Sequence, residues 1–200
     1  MSALDTSLRT GPAPGAESET ETETVQRYPD DADLLSQVMA VYKPECRYLL
    51  SAGFERCGEP SQGGRVSVRG RFRIPESCYI ADTGHFNAVE FNICYNQMIY
   101  FTIAKAVKEA AMWPLAQWNL AQFYHHQLPD MFITDYRATF RRHMRGREFW
   151  GELDVVDAMQ RDGGNGPLTI LSTLSRFGED KTPSCRGEVK IVLRTPPGLG

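Results

Sequence analysis

Residues 76–107 read ESCYIADTGHFNAVEFNICYNQMIYFTIAKAV, setting a cluster of histidine, asparagine and tyrosine beside an almost wholly apolar run. Gly84 permits a sharp turn, His85 can take a proton near neutral pH, and Asn87 can cap a helix that begins behind it. The first N–H groups of such a helix point at whatever precedes it, so a thioester carbonyl placed there meets an oxyanion hole. Tyr79 adds a phenol able to donate to the same oxygen, while Glu90 and Gln97, seven residues apart, share one helix face toward the entrance. The pattern predicts a pocket with a reactive mouth and an acyl-binding depth, with Ser77, Gly84, Glu90 and Gln97 as the expected substrate contacts. A plainer reading of the same residues stays open, in which Asn87 is only an N-cap and His85 only a satisfied core histidine.

These residues need elements to hold them. The segment DDADLLSQVMAVY has the spacing of a short amphipathic helix, with apolar residues at Leu34, Leu35, Val38, Met39 and Val41. RYLLSAGFERC and RVSVRGRFRI read as two strands around the turn GEPSQGG. In the second, Arg65, Ser67, Arg69, Arg71 and Arg73 face outward, Val66, Val68, Phe72 and Ile74 face inward, and Gly70 breaks the phase. A helix over roughly 88–110 follows, free of the polar stripe that a solvated helix carries and therefore buried. Pro114 and Pro129 bracket a shorter helical segment, and four strands at about 131–142, 147–159, 167–177 and 185–194 close the chain as a meander. The order α, ββ, long α, ββββ predicts an α+β hotdog fold, a curved antiparallel sheet wrapped around a long central helix.

Composition narrows the function classes. With 200 residues, 42% hydrophobic and 10% aromatic, the chain can bury a proper core, expected as one domain over 29–197. Residues 1–33 carry a net charge of −6 and the remainder +3, so 1–28 is expected to be a disordered acidic tail. The absence of a long uncharged apolar run or an apolar leader predicts a soluble, cytoplasmic protein with no membrane partner. Cys46, Cys57, Cys78, Cys94 and Cys185 are odd in number and never spaced as a C-x-x-C pair, and they read as small buried hydrophobes in a reducing compartment. No cofactor is expected, since there is no dinucleotide fingerprint. No metal is expected either, because adjacent histidines such as His125 and His126 rarely both reach one ion.

Two further features bear on partners. Asn92 and Asn96, one turn apart on the apolar helix, read as hydrogen-bonders across a helix or dimer interface. RATFRRHMRGR places Arg137, Arg141, Arg142, Arg145 and Arg147 in eleven residues. They are either a solvated hairpin end or a surface for coenzyme A phosphates or an acidic acyl carrier protein; nucleic acid is not expected, because no stacking platform accompanies them.

The run SCYIADTGHFNAVEFNICYNQMIY, with upstream VYKPECRYLL and downstream HHQLPDMFI and ATFRRHM, resembles the FcoT-like hotdog proteins of actinobacteria over about residues 40–195. More distantly, the turn is similar to the His-Phe-Pro loop of hotdog dehydratases, with Asn87 in place of proline. The resemblance implies long-chain acyl-CoA thioester hydrolysis or, for members in isonitrile lipopeptide clusters, (2E)-enoyl-[acyl-carrier-protein] glycyltransfer. It implies catalysis by tyrosines and an asparagine rather than an acidic nucleophile, at positions matching Tyr42, Tyr79 and Asn87. His85 or Glu90 is then the expected proton acceptor, and Arg47 or Arg141 the expected partner of the glycine carboxylate. The implied partners are a carrier-bound or CoA-bound fatty acyl thioester, glycine, and a second copy of the chain in a homo-oligomer built from hotdog dimers. A non-catalytic acyl-carrier binding protein is the remaining alternative.

Overall fold

The computed structural model describes residues 25–58, 65–81, 84–164 and 166–195. Its order is β1 (Val25–Tyr28), α1 (Ala32–Met39), β2 (Leu49–Cys57), β3 (Arg65–Arg73), α2 (Ala88–Lys108), α3 (Leu120–His126), β4 (Met131–Phe140), β5 (Glu148–Asp162), β6 (Pro167–Gly178) and β7 (Cys185–Arg194). The strands form one antiparallel sheet in the order β1-β2-β3-β5-β6-β7-β4.

The sheet curls around α2, and the sequence of α2 explains why. Fourteen of its 21 residues are buried, so it has no broad face for solvent and must be enclosed. The enclosing contacts come from several strands: Phe91 sets its ring edge-on to Phe177 of β6 and to Tyr136 and Phe140 of β4. The Tyr95 hydroxyl shares a hydrogen bond with Thr173 Oγ1 of β6 at 2.8 Å. On the opposite face of the sheet the arginines of β3 and their neighbours pair with acids across the strands. Arg69 meets Glu152, Arg176 reaches Glu152 and Asp154 at 2.9 and 2.7 Å, and Arg27 meets Glu55 at 2.7 Å. A curved antiparallel sheet around a central helix is the hotdog arrangement. No described helix is long and apolar enough to cross a membrane.

Three expectations are corrected. The expected disorder of 1–28 does not hold for Val25–Tyr28, which pairs with Phe54–Cys57 and sets the Tyr28 ring against Phe54; the rest of that expectation, on residues 1–24, lies outside the described residues. The last four strands are not a simple meander: β4 crosses over to pair with β7, and β5 pairs with β3. Gly70 does not break the phase of β3. It occupies an inward position where a Cβ would stand 2.6 Å from Leu49 Cδ1, so the alternation runs unbroken through a residue with no side chain.

Candidate active site

The turn before α2 is built by alternation. Gly84, at φ +71°, swings the chain around, and Phe86 then turns inward onto Phe149, Phe177 and Phe91 while its N–H donates to Met144 O at 2.7 Å. With Phe86 anchored, His85 is left exposed and Asn87 half-buried at the helix start. Asn87 Oδ1 accepts from the N–H groups of Val89 (2.8 Å) and Glu90 (3.4 Å), and Glu90 Oε2 accepts from Asn87 N–H at 3.2 Å, closing a capping box. The other end of the amide, Asn87 Nδ2, donates to the Tyr79 hydroxyl at 2.6 Å. The Tyr79 oxygen is thus an acceptor toward Asn87, and its own hydrogen is directed elsewhere. The strand of loop carrying Tyr79 is fixed in turn, since Cys78 N–H donates to the hydroxyl of fully buried Tyr48 at 2.9 Å.

The expectation of an oxyanion hole made from several helix N–H groups is therefore revised. Val89 and Glu90 spend theirs on Asn87 Oδ1, and the first-position N–H of Ala88, which has no intrahelical acceptor, is the backbone donor that borders the cleft.

Two cavities meet at this turn. One, about 450 Å3, is lined by His85, Phe86, Asn87 and Ala88 on one side and by Phe140, Arg141, Arg142, His143 and Met144 on the other. The second, about 220 Å3, lies between the 74–81 segment, Glu90 and the Arg145–Arg147 turn. His85 lines both. A larger cavity of about 650 Å3 opens on the far face of the sheet, where Arg27, Glu55, Glu152, Asp154 and Arg176 are already paired with one another. The expected acyl depth along α2 is not open within one chain, since the helix interior is filled by Phe91, Tyr95, Met98 and Ile99.

The structure thus brings Tyr79, Gly84, His85, Asn87, Glu90 and Ser77 around one turn, with Arg141 on the cleft wall. It does not bring in the others. Gln97 is fully buried, accepting from Tyr48 and Leu49 N–H (2.9 and 2.8 Å) and donating to Cys46 O (2.6 Å), so it clamps the start of β2 instead of facing an entrance. Arg47 is exposed and donates to Tyr42 O at 3.0 Å, away from both cavities. Tyr42 rests against Tyr100, with burial first and then the neighbouring Tyr100 and Cys94 pushing its phenol well above the usual range, and it borders neither cavity. Glu90 is only 4% exposed and spends one oxygen on the capping box, which makes it a wall of the small cavity and not a freely moving acid. Arg142 is held by Asp180 (3.1 Å) and Thr182 O (2.8 Å). Sequence reasoning overlooked Phe86 as the anchor and His143, whose ring lies 6.1 Å from that of His85. An apolar residue between two polar ones in GHFN was the available signal for the first.

Fold and site together describe a hotdog protein with two cavities meeting at the turn before α2. The sequence matches the FcoT-like thioesterase domain over residues 37–193, and the chain belongs to that family. A relative from Streptomyces coeruleorubidus, named (2E)-enoyl-[ACP] glycyltransferase, is 41% identical over 168 residues, covering 84% of this chain and 99% of its own. Proteins of the same name from Mycobacterium marinum and Mycobacterium tuberculosis are each 35% identical, covering 82% of this chain and 87% of theirs.

Proposed function

We propose that the chain is a (2E)-enoyl-[acyl-carrier-protein] glycyltransferase. The observation that carries this reading is the Asn87–Tyr79 hydrogen bond at the head of the cleft, which leaves a phenol hydrogen for a substrate oxygen. The names of the relatives supply the reaction. An amide that donates to the phenol oxygen also strengthens that phenol as a donor, because hydrogen bonds in series polarise one another.

The chemistry runs as a conjugate addition. The glycine nitrogen forms a bond to the β-carbon, the C=C pair shifts toward the α-carbon and the thioester oxygen, and the resulting enolate is stabilised by Tyr79 O–H and Ala88 N–H. His85 takes the proton that nitrogen loses, and the α-carbon gains one, so one hydrogen moves from nitrogen to carbon with no oxidant or reductant. Water then adds to the thioester carbonyl, the C–S bond breaks, and the carrier thiol leaves with a proton, releasing a 3-[(carboxymethyl)amino] fatty acid. Arg141, exposed on the cleft wall, suits the phosphate of a carrier arm or of coenzyme A.

A homodimer completes this reading. β4 ends the sheet, and its Phe132, Ile133, Tyr136 and Phe140 remain 44, 37, 36 and 43% exposed although Tyr136 and Phe140 already touch Phe91. On α2, Asn92, Asn96 and Tyr100 are half-buried, with Tyr42 on Tyr100. An apolar edge strand of this kind calls for a second copy. That copy would roof the cleft at Phe140 and give the acyl chain the apolar cover that one chain lacks, and Tyr42 enters catalysis only through such pairing.

The test is product mass from a short 2-enoyl-carrier substrate with and without glycine. A glycine-dependent adduct acid is expected; the same unmodified enoic acid in both reactions rejects glycyltransfer and leaves simple thioester hydrolysis.

A further inference from the structure

Conjugate addition needs two substrates to reach one proton acceptor, and the molecule has two cavities that share a single histidine wall. The larger one offers Phe86, Phe140 and Met144 with an arginine rim, the lining an acyl thioester wants. The smaller one, about 220 Å3, is different in kind. Glu76, Ser77, Glu90, Arg145 and Arg147 line it beside His85, so two acidic and two basic residues border a space too small and too polar for an acyl chain.

From this juxtaposition we propose that the smaller cavity is the amino-acid subsite of the glycyltransfer reaction. The inference rests on the functional reading above and extends it to the second substrate. A zwitterion is the ligand that matches a pocket holding equal numbers of opposite charges: its carboxylate pairs with the Arg145 and Arg147 guanidiniums, and its amine lies toward Glu90 and His85. Ser77 supplies an independent sign. Its hydroxyl oxygen is buried and has no hydrogen-bond partner among the described residues, which is costly for a polar atom until a ligand or a bound water satisfies it.

The turn that carries the arginines is pinned before any ligand arrives. The N–H groups of Arg145 and Gly146 both donate to Glu179 Oε1 (2.9 and 3.0 Å), Ile74 N–H donates to Gly146 O (3.3 Å), and Arg147 Nη1 donates to Pro75 O (3.2 Å). Arg145 and Arg147, two residues apart across this pinned turn, both line the cavity. The assignment replaces Arg47 and Arg141 as carboxylate partners, the first because it borders neither cavity and the second because it borders only the larger one. With the amine at His85, its nitrogen stands at the wall beyond which the enoyl thioester lies, so the imidazole can receive the proton as the N–C bond forms.

The experiment uses the full chain and varies glycine and the enoyl-carrier substrate separately for wild type, Arg145→Met, Arg145→Lys and Ser77→Ala. Arg145→Met and Ser77→Ala are expected to raise the glycine KM by about tenfold or more, with the enoyl-carrier KM changing less than about twofold and Arg145→Lys lying between. Glycinamide, which lacks the carboxylate, should be used equally well by wild type and Arg145→Met. A raised enoyl-carrier KM with an unchanged glycine KM overturns the subsite and makes Arg145 a carrier contact. If wild type forms no glycine adduct at all, glycyltransfer itself fails, and the subsite is then judged by saturation-transfer NMR with glycine alone. A signal lost in Arg145→Met upholds an amino-acid site, and no signal in wild type overturns it.

Discussion

The two ends of α2 both bury polar groups, and they do so to opposite effect. At the C-terminal end, Lys105 is 3% exposed and donates to Asp31 (3.1 Å) and Glu109 (2.7 Å), while Lys108 reaches the same Asp31 oxygen at 2.5 Å and Asp31 Oδ1 caps α1 through Leu34 N–H. This cluster spends its charges on itself, ties α1 to α2, and stands at the end of the helix where cations oppose the dipole favourably. At the N-terminal end, Tyr79 keeps a hydrogen to give, Ser77 has a buried hydroxyl with no partner among the described residues, and two cavities open. A closed polar cluster holds a fold together, and an open one is available to a substrate.

Substitutions at the two ends should separate these roles. Tyr79→Phe is expected to show the largest effect, a fall in kcat of about 100-fold or more from losing one enolate donor. Its melting temperature should match wild type, since the side chain is 45% exposed; a parallel loss of stability would erase the contrast. Lys105→Met should do the reverse, lowering unfolding free energy in a denaturant titration by about 3 kcal/mol because Asp31 and Glu109 lose a buried cation. Turnover per folded molecule should stay within about twofold of wild type, the distance from the cleft leaving the transition state untouched.

Asn87→Asp sharpens the boundary between holding and acting, because aspartate still caps α2 but cannot donate to Tyr79. Turnover is expected to drop about tenfold while stability moves by less than about 1 kcal/mol. Equal losses in both would mean that the amide is only a cap. The smallest effect concerns acid. Burial alone would raise the Asp31 carboxyl, but hydrogen bonds from Lys108, Lys105 and Leu34 N–H outweigh it and hold the pKa down to about 2, from 3.8. A depressed carboxyl contributes stability that is full above pH 4 and is lost as pH falls toward 2. Urea midpoints measured across that window should decline less steeply in Asp31→Asn than in wild type.

Much of the scaffold was legible because it is periodic. Val66, Val68 and Phe72 alternate with arginines, and α2 announces its burial by carrying apolar residues on every side. What escaped was pairing at a distance. Nothing local tells β4 to seek β7, and Val25–Tyr28 is a strand only because β2 offers it an edge. The same limit applies to the site. Helical spacing placed Glu90 and Gln97 on one face, yet the amides of Tyr48 and Leu49 that claim Gln97 come from 49 and 48 residues away. Tyr79, His85 and Asn87 were readable as neighbours in one loop. The small cavity was not, because Arg145 and Arg147 reach it from beyond α2, α3 and β4.

Phe86 ties the lifetime of the turn before α2 to that of the whole domain. It sits between His85 and Asn87, and its ring is shared with Phe91 of α2, Phe149 of β5 and Phe177 of β6. Releasing the turn would expose aromatic surface from three elements at once, so the turn has no cheap local opening of its own. Heat inactivation should therefore follow the global unfolding rate, and amide exchange at Phe86, bonded to Met144, should be as slow as that of the central strands.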